Sequence, residues 1–495
     1  MNTSKRHSIA SGTLFTVAMR WSDRLIGFAS LLILARLLSP DDIGLIAMAT
    51  LVIGLTDVLL DLGVNVALVR DRDATQAHFN TAWTLRLIQS ALVTMLIIGA
   101  ASWAADYFGD PRITPVLRVL AFSVMLAGLE NIGVVALHKN MQFGAEFRFL
   151  ITRRLFGFLL TLAAAWVLRS YWALVIGTLG NRAFGALLSY RAHPMRPRLD
   201  LSQFRAIFAV SQWMLLRGIG EFLHNNLHRI LVGRWSSTST MGAYTLANEL
   251  STLPSAELVA PMNRALFPAM ADNRDQTESL TRLFLLALQL QTLIALPATV
   301  GLALVAGEAV PVLLGSKWQE AVPLLQWLAL AGIAQVLTAS GHYVLIVLGR
   351  VGHSVAILWL QVAVFGAAVW LALPLDNAGT IAALRVAVTV LGIAATAALL
   401  VAALAPLTLS ALSGAVVRPV VATLLMTAAL IELGKHLPFA PATVLIVKIA
   451  LGVLVYAASV TTLWKVAGRP HGAETWLFDK YRTWQEGKHA TTNDT

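Results

Sequence analysis

Cysteine is absent from all 495 residues of the chain. Its absence excludes disulfides and thiolate metal ligands, and says little about compartment in a membrane protein. Charge is scarce as well. Asp, Glu, Lys and Arg together make up 13% of the sequence, where soluble domains carry about a quarter. No loop exceeds roughly 20 residues, which leaves no room for a folded catalytic domain outside a bilayer. Nor does the N-terminus read as a cleavable leader, because the apolar stretch after "MNTSKRHSIASGTLF" continues to Leu38 without a small-residue cleavage site. What is abundant is aliphatic: 57% of residues are hydrophobic and the mean hydropathy is +0.71. These features describe an all-α polytopic membrane protein. The net charge of +11 is scattered over short loops with no basic domain, a pattern that fits topogenic charge and not nucleic-acid binding.

A spanning helix needs about 20 mostly apolar residues. Candidates lie near 11–38, 42–69, 81–105, 115–137, 147–168, 171–190, 204–233, 240–265, 281–306, 321–348, 354–373, 378–405, 413–433 and 442–467. The expected number is therefore about fourteen transmembrane helices. Alternate ends carry Lys and Arg unequally, by about three to one. The richer ends include Lys5, Arg6, Arg70, Arg72, Arg148, Arg153, Arg154, Arg196, Arg198, Arg274, Arg350 and Lys465. That side is expected to be cytoplasmic, with both termini on it.

The chain also echoes itself. "ARLLSPDDIGLIAMA" (Ala35 to Ala49) and "GRWSSTSTMGAYTLA" (Gly233 to Ala247) share Arg36/Arg234, Ser39/Ser237, Gly44/Gly242 and Ala49/Ala247 in one register. The same register lays Asp23 over Glu221. Six spans precede the second copy, so the copies are parallel repeats with a site expected at their interface. The division expected is an N-terminal lobe over 1–200 (helices 1–6), a C-terminal lobe over 201–408 (helices 7–12), an added pair over 409–467, and a cytoplasmic tail over 468–495.

Ionisable groups at bilayer depth cost several kcal/mol unless they face protein or water, so they are the best functional pointers. Helix 1 carries Arg20, Asp23 and Arg24; helix 2 carries Asp57 and Asp61, either of which can pair with Arg24. Helix 7 holds "RGIGEFLHNNLHRI", with Arg217, Glu221, His224 and His228 on one face and Asn225 beside them. Helix 8 carries Asn248 and Glu249, then Pro254, Pro261 and Pro268, of which the first two should bend it. His224 and His228 have zinc-ligand spacing but no acidic base between them, so neither a metal nor a catalytic site is expected. Arg20, Arg24 and Arg217 suit an anion, because guanidinium forks take phosphate oxygens bidentately. His224, Asn225, His228 and Asn248 offer further polar groups at this depth, with Trp21 and Trp213 close in sequence to Arg20 and Arg217. Asp23, Asp57, Asp61, Glu221 and Glu249 are the acids there.

The segment "LLILARLLSPDDIGLIAMATLVIGLTDVLLDLGVNVALVRDRDATQAHFNTAWTLRL" resembles the start of the Wzx-like polysaccharide transporters of the multidrug/oligosaccharidyl-lipid/polysaccharide exporter superfamily. The likeness covers the helix 1–2 turn, the "DLGVNVALV" helix end and the polar loop after it. It implies two six-helix lobes forming a V-shaped central cleft plus two extra C-terminal helices. It also implies flipping of polyprenyl-pyrophosphate-linked oligosaccharides across a bacterial inner membrane for exopolysaccharide, O-antigen or capsule synthesis. On that resemblance Arg20, Arg24 and Arg217 would hold the pyrophosphate, and His224, Asn225, His228 and Asn248 the sugar hydroxyls, with Trp21 and Trp213 stacking. On the same resemblance Asp23, Asp57, Asp61, Glu221 and Glu249 are candidates for H⁺ or Na⁺ coupling, with no other cofactor implied. The partners implied are the lipid-linked glycan, membrane lipids, and the polymerase and glycosyltransferases of the same pathway. A multidrug/cation antiporter of the same superfamily is the alternative, though its cleft should be acidic. A membrane glycosyltransferase or polymerase would need a large outer loop, and the sequence has none.

Overall fold

The computed structural model describes residues 3–60, 75–139, 142–372, 378–434, 440–470, 472–476 and 478–480. Side chains are described at all of these except 3–17, 57, 59, 60, 138, 139 and 205–217. Among the described residues there are 17 α-helices and no strand. The chain forms two compact units, Met1–Thr245 and Leu246–Thr495.

The first unit holds α1 (Thr3–Leu37), α2 (Pro40–Leu60), α3 (Gln76–Phe108), α4 (Ile113–Gly128), α5 (Gly133–Lys139), α6 (Phe143–Leu168), α7 (Trp172–Ala192) and α8 (Phe204–Trp235). The boundary between units falls within α9 (Thr238–Ser251). Local chemistry starts and stops these helices. Ser39 Oγ accepts from the Asp42 amide and Asp42 Oδ2 accepts from the Ser39 amide, a capping box with Pro40 at the first helical position of α2. Ser237 Oγ caps α9 in the same way, accepting from the Thr240 amide, at the equivalent place of the repeat. α3 ends where Gly109 adopts φ 74°, the left-handed turn that favours glycine.

Within this unit α1 packs on α6, α6 on α7, α3 on α4, and α2 on α8. The expected fourth span, 115–137, is not one helix. It is broken between α4 and α5, where Asn131 Oδ1 accepts from the Gly133 amide and Asn131 Nδ2 donates to the Met195 carbonyl. Side-chain hydrogen bonding to local backbone competes with the helix there. The two repeat turns meet in this unit, with Gly44 of α2 and Gly242 of α9 in backbone contact.

The second unit continues with a π-helical turn (Ser255–Val259), α10 (Ala260–Asp272), α11 (Thr277–Leu304), α12 (Ala306–Leu313), α13 (Ala321–Val347), α14 (Val351–Leu371), α15 (Ala378–Ala403), α16 (Leu409–Gly434) and α17 (Pro441–Val466). The expected eighth span, 240–265, is interrupted by the π turn. Pro261 has no N–H to donate, and the helix absorbs the missing bond by widening to i→i+5 pairing, as in the Ala260 amide to the Ser255 carbonyl. Beside it, Gln291 Nε2 donates to Asn263 Oδ1 at 2.6 Å, joining α11 to α10 in a buried amide pair. The core of this unit runs through Leu280, Phe284, Leu288, Val344, Leu345 and Leu400.

The segment after Gly468 folds back on the second unit. Arg418 of α16 meets Glu474 at 3.1 Å, both largely buried, and the Ala473 amide donates to Gln289 Oε1 of α11. Outward faces are apolar: Leu92, Met95, Trp103, Trp166, Leu424 and Val453 are each more than half exposed. Eight described helices are long and apolar enough to cross a membrane by length and composition. Lipid is the solvent that such faces match.

Candidate functional site

Helix α1 is a line of large apolar residues interrupted by Arg20, Trp21, Asp23 and Arg24. At about 100° per residue, Arg20, Asp23, Arg24 and Gly27 fall within roughly 100° of its circumference. Trp21 is 57% exposed, and Asp23 is exposed too, while Arg20 and Arg24 are half-buried. Asp23 does not stand alone. Its Oδ1 accepts from Nε of Arg154, on α6, at 2.9 Å. Gly27, one turn along from Asp23, leaves room beside this contact: a Cβ there would lie 3.2 Å from Arg154 Nη2. The guanidinium thus lies across the bare backbone of α1.

The neighbouring Arg153 points elsewhere. Its Nη1 lies 3.4 Å from both carboxylate oxygens of Glu130, with its stem over Gly185 of α7, and Arg86 of α3 approaches the same carboxylate at 4.0 Å. Glu130 is 14% exposed, against 63% for Asp23. A well-exposed pair contributes about 0–1 kcal/mol. Breaking a largely buried one leaves an uncompensated charge, at about 3–5 kcal/mol. Two consecutive arginines therefore have different parts, one exchangeable and one structural.

Four of the residues singled out on helices 2 and 7 lie outside what is described. Asp61 falls outside the described residues, and the side chains of Asp57, Trp213 and Arg217 fall outside the described side chains. Of the rest of α8, Glu221 and Asn225 are exposed and His224 is half-buried. His228 is only 1% exposed. Its Nε2 faces the Asn225 carbonyl at 2.9 Å and its Nδ1 faces the Tyr244 hydroxyl of α9 at 2.8 Å. A carbonyl only accepts, so Nε2 donates to it, and Nδ1 pairs with the tyrosine hydroxyl. Both ring nitrogens are engaged within the protein.

In the second unit Asn248 Oδ1 accepts from Arg385 of α15 at 3.3 Å, and Glu249 is exposed. No group of three or more His, Cys, Asp or Glu among the described residues is placed to hold a metal ion.

The model of a family described as "Polysaccharide biosynthesis protein" matches residues 33–323, more than half of the chain. The chain belongs to this family. It is 25% identical over 316 residues to the lipopolysaccharide biosynthesis protein WzxC of Escherichia coli (strain K12), covering 62% of the chain and 63% of that relative. It is 24% identical over 297 residues to the teichuronic acid biosynthesis protein TuaB of Bacillus subtilis (strain 168), covering 59% of the chain and 62% of that relative. The chain thus spans somewhat less than two thirds of the length of these relatives. Among solved structures, the lipid II flippase MurJ in an inward closed conformation superposes with a TM-score of 0.74 at 11% identity, over 92% of this chain and all of that one. The fold is shared. The likeness seen in the first 90 or so residues therefore extends to residue 323.

For this family member, sequence reasoning missed Arg154, Arg153, Glu130 and Tyr244. Arg153 and Arg154 counted only among the charges at the cytoplasmic ends of the spans. α6 starts at Phe143 and places them about 15 Å along the helix. The signal available was their position inside the expected span 147–168, where two adjacent charges demand partners. Glu130 and Tyr244 carried no comparable signal, since nothing local tells which helix they face.

Proposed function

We propose that this protein is a flippase for polyprenyl-pyrophosphate-linked oligosaccharide units, moving them from the cytoplasmic to the outer leaflet of a bacterial inner membrane by alternating access. It is a multi-pass membrane transporter and not an enzyme. The observation that carries the substrate class is the cationic stretch of α1, where Arg20 and Arg24 flank Asp23 on one face and are not fully buried. Family membership supports the glycan, and the fold shared with a protein named a lipid II flippase supports the transport mode.

A glycan head cannot cross about 30 Å of hydrocarbon unaided. A polar cleft open to one leaflet at a time removes that penalty while the polyprenyl tail stays in lipid. Arg20, Arg24 and Arg217 hold the pyrophosphate, with Trp21, Trp213, His224, Asn225 and Asn248 along the glycan. His228, whose ring nitrogens face Asn225 and Tyr244, holds α8 to α9. H⁺ or Na⁺ at Asp23, Asp57, Asp61, Glu221 or Glu249 biases the inward–outward equilibrium. Both termini lie in the cytoplasm, on the side of the glycosyltransferases that build the substrate, and the polymerase acts on the product at the other face.

Replacing Arg20 and Arg217 with Gln, singly and together, tests this reading by glycan export in cells at matched expression. Loss of export, with recovery by Arg but not fully by Lys, is expected from fork geometry. Undiminished export by the double variant would sink the pyrophosphate assignment.

A further inference from the structure

The ion pair between Asp23 and Arg154 differs from the other pair on α6 in the one property that governs exchange. Its side chains are 63% and 45% exposed, whereas Glu130 and Arg153 are 14% and 26% exposed. The protein therefore does not seal it off. Asp23 has Arg20 and Arg24 on the same face of its own helix and Arg154 of α6 in contact. A carboxylate offers a single negative charge and two oxygens. A phosphate or pyrophosphate offers more of both in a geometry that matches the guanidinium fork.

We propose that Arg154 is a further anion-contacting residue of the flippase and that Asp23 is its built-in competitor. With no substrate bound, Asp23 holds Arg154 across Gly27. When a pyrophosphate arrives, its oxygens take the Arg154 guanidinium and the Asp23 carboxylate turns away. On the opposite side of the cycle the carboxylate reclaims the arginine and helps release the head group. A cationic site without such a competitor would capture the anion and give it up slowly. Gly27 is a positioning residue, because it leaves the space in which the guanidinium lies. The inference deepens the function proposed above and rests on it.

The two partners then affect binding in opposite directions, which a purely structural ion pair cannot do. The full-length protein, purified in detergent, is titrated with inorganic pyrophosphate and with farnesyl pyrophosphate by calorimetry. Arg154→Gln should weaken binding roughly tenfold or more, the loss of a charge-assisted contact. Asp23→Asn should tighten it by several-fold while slowing glycan export in cells. Arg154→Lys, which keeps the charge and lacks the fork, should fall between wild type and Arg154→Gln. Arg153→Gln serves as the comparison: it should lower thermal stability and leave pyrophosphate affinity unchanged. If wild type binds pyrophosphate but Asp23→Asn and Arg154→Gln weaken binding equally, and Asp23→Arg/Arg154→Asp restores it, the pair is structural and this inference is overturned. If wild type binds neither probe, the pyrophosphate reading falls and takes this one with it.

Discussion

Gly44 and Gly242 approach each other so closely that neither position admits a side chain. A Cβ on Gly44 would lie 1.7 Å from the Thr238 carbonyl oxygen, and one on Gly242 would lie 2.0 Å from that of Pro40. The contact is reciprocal, each glycine meeting the residue four places before the other. It joins the two copies of the repeat at equivalent points. Small residues let helix backbones meet in this way in membranes, where packing replaces the hydrophobic effect as the force between helices.

Alanine at either glycine should separate α2 from α9. The obstructing atoms are backbone and cannot swing aside, so each substitution should cost about 1–3 kcal/mol or more. Because both glycines serve one contact, the double variant should lose less than the sum. Thermal unfolding of the purified variants checks this; strict additivity would mean the two positions are independent.

Tyr244→Phe removes the hydroxyl that pairs with His228 Nδ1 in a buried setting. A stranded buried polar group costs about 1–3 kcal/mol. Stability should fall by that order, while glycan export at matched expression stays near normal. Unchanged stability with impaired export would return His228 to the glycan path.

Asp110 gives a pH signature outside the spanning segments. Burial pushes its carboxyl up, but hydrogen bonds and charge from Arg112 and a hydrogen bond from Thr238 outweigh this and hold it below its ordinary value of 3.8. The native state thus binds fewer protons than the unfolded one in that interval. The stabilisation is complete above about pH 4 and is lost as pH falls through the folded value. Asp110→Asn should be less stable than wild type at pH 7, with the gap closing in strong acid. A gap that stays constant down to pH 3 would show that the charge of Asp110 is not what stabilises.

Much of the architecture was legible because it is written locally. Apolar runs of spanning length, Ser39 and Pro40 before α2, and Gly109 after α3 each act within a turn or two of themselves. Among the described residues the expected segments fall on helices, or on two helices where Asn131 or Pro261 breaks the pattern, and eight of those helices are long and apolar enough to span. The repeat was legible because its register needs only sequence. The partners of the charged residues were not. Asp23 and Arg154 are far apart in sequence, as are Glu130 and Arg86, and their pairing depends on α1 packing against α6 and on α4 packing against α3. His228 looked available on a helical wheel, and only the approach of Tyr244 on α9 made it a buried strut. The sequence by itself determined a helical membrane protein with arginines at bilayer depth. Tertiary structure decided which of those arginines is buried against a carboxylate and which stays exposed beside one. Burial and pairing follow from which helices meet, and local sequence does not carry that.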